Sequence, residues 1–229
     1  MNPRKELYKI RDKENAKNLA RFFKTEKGQY GEGDVFWGIK VPNQRIVAKE
    51  CSNASMKEVE SLLKDEVHEC RLTALLILIQ KYKKADSKEK EKIFKFYLKN
   101  SKYINNWDLV DLSAPQIVGD FLLNKGKDIL YKLAKSKNLW ERRIAIISTF
   151  TLLRDKQFKD TLAISEILLN DKHDLIHKAV GWMLRELGKR DKDVEVEFLT
   201  KYCKQMPRTM LRYSIEKFDE KERKTFLLF

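Results

Sequence analysis

Short segments in which a basic residue heads an apolar run recur along this sequence at a near-constant interval. They begin at Arg71 (Arg71-Leu72-Thr73-Ala74-Leu75-Leu76), Arg143 (Arg143-Ile144-Ala145-Ile146-Ile147) and Lys178 (Lys178-Ala179-Val180-Gly181-Trp182-Met183). The intervals are 143 − 71 = 72 and 178 − 143 = 35 residues; Trp107 stands at the midpoint of the longer one, and 34 more residues reach Arg212. A period near 35 with room for two helices predicts a HEAT-like array. In such an array each helical hairpin buries its apolar face only against its neighbours. Coincidence among Lys-rich helices is the alternative.

Composition agrees with the array. Only 8 of 229 residues are Gly and 4 are Pro, while Lys, Leu, Glu and Ile abound, which favours an all-α protein. With 42% hydrophobic residues the chain can bury a substantial core, and a single HEAT-like domain over 1–229 is expected. Apolar periodicity predicts a charged amphipathic helix over 4–27 and helices near 43–53, 55–66, 67–83, 87–100, 102–112 and 114–123. Further helices are predicted near 127–135, 138–153, 159–170, 173–188, 191–204 and 207–217, followed by a C-terminal tail, 219–229. Residues 28–42 form a Gly-rich connection, with four of the eight glycines between 28 and 38. No Gly-Lys-Ser/Thr follows it, so it is not a phosphate loop; an ordered connection whose aromatics pack on the core is expected.

Charge narrows the partners. Lys and Arg number 48 against 34 Asp and Glu, a net +14 spread along the chain. Folded proteins of this imbalance bind polyanions, nucleic acid first; a solvated Lys-rich surface is the bland alternative. Cys51, Cys70 and Cys203 lack paired spacing, and with only His68, His173 and His177 besides, no metal or other cofactor is expected. The chain has no apolar leader and no run of about 18 apolar residues, so a cytoplasmic protein is expected.

Stacked hairpins align equivalent positions, so Arg71, Trp107, Arg143, Lys178 and Arg212 are expected to form a ladder along a concave basic groove. Asp111, Trp182 and Arg185 lie within a turn of it. Pro115, four residues after Asp111, is expected to end that helix, with Ser113-Ala114-Pro115-Gln116 capping the next. Arg71, Arg143, Lys178, Arg185 and Arg212 would meet phosphates. Trp107, Trp182 and Asp111 favour positive charge inside a groove that favours negative charge. Duplex DNA carrying a cationic, alkylated base satisfies both. Such a base leaves neutral and needs no acid, so one ionised Asp suffices where ordinary glycoside cleavage uses two carboxylates. Asp108 is expected to be a local structural partner, and Trp140 to belong to the core.

The elements Trp107-Asp108-Leu109-Val110-Asp111, Trp140-x-x-Arg143 and Lys178-Ala179-Val180-Gly181-Trp182-x-Leu184-Arg185-Glu186 resemble the AlkD family of DNA alkylation repair glycosylases. Gly119-Asp120 and Gly38-Ile39-x-x-Pro42-x-x-Arg45 share that resemblance, which spans roughly residues 16–218. It implies a HEAT-like superhelix that excises 3-methyladenine and 7-methylguanine from duplex DNA without a deep base pocket; a groove that surrounds a duplex works as a monomer, which is the expected state. By the same resemblance Asp111 is the catalytic residue, Trp107 and Trp182 flank the lesion, and Arg143 and Arg45 join the DNA-binding residues. Phe22 stands where the family has a Tyr, so stacking is kept and any hydroxyl role is lost. The Gly-rich segment is also longer than in familiar members. Some relatives of this fold bind DNA without catalysis; they tend to have altered residues at the Asp or Arg, both retained here. A non-catalytic binder of damaged or branched DNA is therefore the alternative.

Overall fold

A computed structural model describes residues 1–228, whose regular elements are helices apart from one isolated β-bridge, which agrees with the expected all-α, HEAT-like class. Among them no helix is long and apolar enough to cross a membrane. The chain divides into two compact units, 1–109 and 110–229.

In the first unit the order is α1 (Pro3–Lys9), α2 (Lys13–Phe22), α3 (Val41–Glu50), α4 (Met56–Leu63), α5 (His68–Lys84) and α6 (Ser87–Lys99), with the start of α7 (Trp107–Ala114). From Leu72 to Ile79 helix α5 is apolar on every side but for Thr73, and it is buried continuously from His68 to Ile79. A helix with no polar face must be surrounded, and α1, α3, α4 and α6 all contact it. The predicted single helix over 4–27 is two helices. Asp12 interrupts it in an extended conformation and accepts hydrogen bonds from the Glu14 and Asn15 amides, a cap worth about 1 kcal/mol.

The Gly-rich connection is ordered, as expected. The buried carboxylate of Glu69 accepts the amides of Trp37, Gly38 and Ile39 at 3.1, 2.7 and 3.1 Å, clamping the connection to the first turn of α5. Gly38 is required there: its φ is +82°, and a Cβ would collide with the Asp12 carbonyl. An isolated parallel bridge joins Val35 to Val67. Phe36 is buried and stacks on Phe23.

The second unit continues from α7 through α8 (Asp120–Leu122), α9 (Asp128–Ala134), α10 (Leu139–Arg154), α11 (Lys159–Ile167), α12 (Asp174–Gly188), α13 (Lys192–Tyr202), α14 (Arg208–Ser214) and α15 (Glu220–Leu227). Helix α10 contacts α12, and α12 contacts α14, while α9, α11 and α13 pair with their successors or neighbours. Arg143, Lys178 and Arg212 are each the fifth residue of α10, α12 and α14, so the sequence period is a true structural register in this unit. Part of the expected tail is helical: Asp219 and Glu222 form a capping box that starts α15. Phe229 lies outside the described residues.

Candidate functional site

The helix bearing Asp111 does not end at Pro115. It passes into a π-helical stretch, Pro115–Gly119, and on into α8. Proline has no N–H, so the carbonyl four residues earlier, that of Asp111, cannot receive the usual α-helical bond. Widening to π geometry accommodates this, and single π turns of this kind are frequent at functional sites. Two side chains satisfy carbonyls in the widened turn: Gln116 Nε2 donates to Leu112 O at 2.8 Å, and Thr151 Oγ1 donates to Pro115 O at 2.7 Å. The expected cap at Ser113 is absent because Ser113 is fully buried inside the continuous helix. Asp111 therefore sits mid-helix rather than in a last turn.

Arg143 holds that carboxylate with both arms of its guanidinium. Nε donates to Asp111 Oδ1 at 2.8 Å and Nη2 to Oδ2 at 2.7 Å, while Nη1 donates to the Leu175 carbonyl in the first turn of α12 at 2.5 Å. This planar fork fixes the orientation of the carboxylate. The Arg143 side chain is 6% exposed and that of Asp111 17%. The expected phosphate contact for Arg143 is thus revised: the residue is interior and positions Asp111.

The other predicted cations of this unit divide. Arg185 is mostly buried and ion-paired to Glu216. Lys178 pairs with Asp174 at 2.6 Å, but both are substantially exposed, and such a pair is weak enough for a phosphate to displace. Arg212 is exposed. Trp182 is half-buried beside Phe150, and its indole N–H donates to Glu186 at 3.3 Å. Trp140 is in the core, as expected.

In the first unit, Trp107 is half-buried at the start of α7, one turn before Asp111 on the same helix. The ring stacked beneath it is Phe23, at 5.3 Å and 19°; Phe22 meets its edge at 6.0 Å and is 63% exposed. Arg45 is exposed on α3. Arg71 is a correction: it is buried, with Nη2 donating to Asp34 at 2.6 Å and Nη1 to the carbonyls of Asp65 and Glu66, so it offers nothing to a phosphate.

Arg71 belongs to a cluster that sequence reasoning missed. His68 Nδ1 lies 3.1 Å from Asp34 and Nε2 lies 2.8 Å from Asp108, while Asn106 Nδ2 donates to Asp34 at 3.0 Å. Phe23 and Phe36 lie against the imidazole at 4.8 and 4.7 Å. Burial alone would lower the His68 pKa; the charge and hydrogen bond of Asp108, with the bond to Asp34, overcome it and push it up to about 9. Burial opposes ionisation of Asp34, yet the His68 hydrogen bond and the Arg71 charge hold its carboxyl below the usual range. At neutral pH an imidazolium therefore bridges two carboxylates. Asp108 is the structural partner the sequence suggested, and His68-x-x-Arg71, one helical turn apart, was the available signal for the rest.

The model of the DNA alkylation repair enzyme family matches residues 3–218. No curated protein matches the chain. Among solved structures, the fold is similar to a predicted DNA alkylation repair enzyme from Enterococcus faecalis, with a TM-score of 0.72 at 17% identity, covering 92% of this chain and 97% of that one. It is also similar to AlkD2 from Streptococcus mutans, with a TM-score of 0.58 at 16% identity, covering 91% and 99%.

Proposed function

From the premise that the chain belongs to the DNA alkylation repair enzyme family, we propose that it is a monofunctional DNA N-glycosylase for cationic alkylated purines in duplex DNA. The observation that carries this reading is the fork of Arg143 on Asp111: a carboxylate paired and oriented by one guanidinium, yet still partly exposed. A 3- or 7-alkylated purine already bears a positive charge. When its N-glycosidic bond breaks, the bonding electrons pass to the base, which leaves neutral, and positive charge moves to the sugar. Asp111 stabilises that oxocarbenium-like sugar and orients water, whose oxygen bonds to C1′ while its proton is released. The products are free base and an abasic site, with no general acid and no cofactor.

The remaining roles follow from exposure. Trp107 and Trp182 offer aromatic faces to the cationic base, each worth about 0.5–2 kcal/mol, and Phe22 adds exposed stacking surface beside Trp107. Lys178, Arg212 and Arg45 supply phosphate contacts, so affinity falls with salt. The whole chain acts as one DNA-binding domain and as a monomer. The test is incubation with duplex DNA methylated at N7 of guanine, followed by alkali. Strand breaks at the lesions are expected; binding without breaks would leave the non-catalytic reading in its place.

A further inference from the structure

The charged cluster at His68 has no step in the mechanism above, and burying charged groups costs several kcal/mol for each ion unless the pairing is close. What the cluster surrounds is Trp107. The residue before it, Asn106, accepts the Trp107 amide on Oδ1 at 2.8 Å and donates from Nδ2 to Asp34. The residue after it, Asp108, is bonded to His68. The ring beneath it, Phe23, also lies against the His68 imidazole. Trp107 is thus held before, after and below by groups that converge on His68 and Asp34, both nearly inaccessible. An apolar core would bury α5 equally well, but it would not set the backbone on both sides of one indole.

We infer that His68 is a positioning residue for the lesion-binding aromatic: through Asp34 and Asp108 it locks the first turn of α7 and the Trp107 ring in the orientation used on the damaged base. The role rests on the glycosylase reading, but the lock itself can be observed without catalysis. The charged groups facing His68 are Asp34 from the connection, Asp108 from α7 and Arg71 from its own helix, whose charge opposes protonation. Deprotonating the imidazole removes one of the two N–H donors that the carboxylates share, so the lock loosens on the alkaline side.

The experiment uses the full chain labelled with 5-fluorotryptophan, the Trp107 resonance being assigned by its loss in Trp107→Phe. In the wild type this line should stay constant through neutral pH and move with a midpoint near 9. His68→Gln should shift or broaden it at neutral pH while the Trp140 and Trp182 lines stay in place. Single-turnover excision by the variant should fall by up to about a hundred-fold, the scale of a small misplacement at the reacting geometry, with affinity for undamaged duplex unchanged. Asp108→Asn, which leaves Asp34 and Arg71 in place, makes the same prediction should His68→Gln not fold. A Trp107 line indifferent both to pH and to these variants would overturn the inference, as would a moved line with wild-type excision. If the wild type itself releases no base, the glycosylase reading fails while the fluorine titration still decides whether His68 holds Trp107.

Discussion

The first compact unit surrounds Asp34 with donors: Arg71, His68 and Asn106 all bond to it, and its side chain is 4% exposed. The second unit treats Asp111 differently, gripping both oxygens with one guanidinium and leaving the side chain 17% exposed. A third carboxylate, Glu195 on α13, marks the opposite extreme: it is 2% exposed and its Oε1 meets no donor. Burial lowers the cost of ionisation nowhere; donors do that. Asp34 is accordingly held in its charged form, whereas the Glu195 carboxyl is pushed up to about 8 by burial, against the weaker pull of Lys192 and Arg185. Full enclosure by donors suits a structural anchor. An oriented carboxylate with an open side suits chemistry.

Substitutions can break this ordering. Asp34→Ala removes the acceptor shared by three donors and leaves His68 and Arg71 facing each other in the interior; urea unfolding should show a loss of roughly 4 kcal/mol. Glu195→Gln should act in the other direction. Because the folded pKa of Glu195 lies above its unfolded value of 4.5, the protonated form stabilises the fold at low pH, and that contribution is lost as pH rises through about 8. Above that range the Gln variant should be more stable than the wild type by on the order of 5 kcal/mol, and below the unfolded value the two should match. Arg143→Ala should cost about 2 kcal/mol, less than Asp34→Ala, since Asp111 can recover some hydration. An equal loss would erase the distinction between the two sites. Phe22→Ala, at the exposed edge of Trp107, should change stability by less than about 0.5 kcal/mol while weakening binding to alkylated duplex more than to undamaged duplex.

The two units also differ in how much of them can be read from the sequence. In the second, helical periodicity places Arg143, Lys178 and Arg212 at equivalent positions of α10, α12 and α14, and stacking does the rest. Periodicity reports a register, not the depth of a side chain, so the buried fork of Arg143 and the ion pair of Arg185 were not visible in it. In the first, Asp34 reaches His68 and Asn106 across 34 and 72 residues through a Gly-rich connection, where no period applies. Phe23 rather than Phe22 stacks on Trp107 because it is the C-cap of α2, where the backbone leaves the helix. Pro115 reads as a terminator by local rules, but the π turn, the donors on Gln116 and Thr151 and the close approach allowed by Gly119, where a Cβ would strike the Ser148 carbonyl, let the helix continue. Asp219-x-x-Glu222 was a legible start for α15, hidden among the charges of the tail.

The proposed base excision depends on the Asp111 carboxylate. Asp111→Asn keeps the shape of the side chain and removes its charge. Single-turnover release of 7-methylguanine from duplex DNA, measured beside duplex affinity on the same protein, decides it. Release should fall to background while binding persists. Release at the wild-type rate by a folded, DNA-binding Asn variant would contradict it.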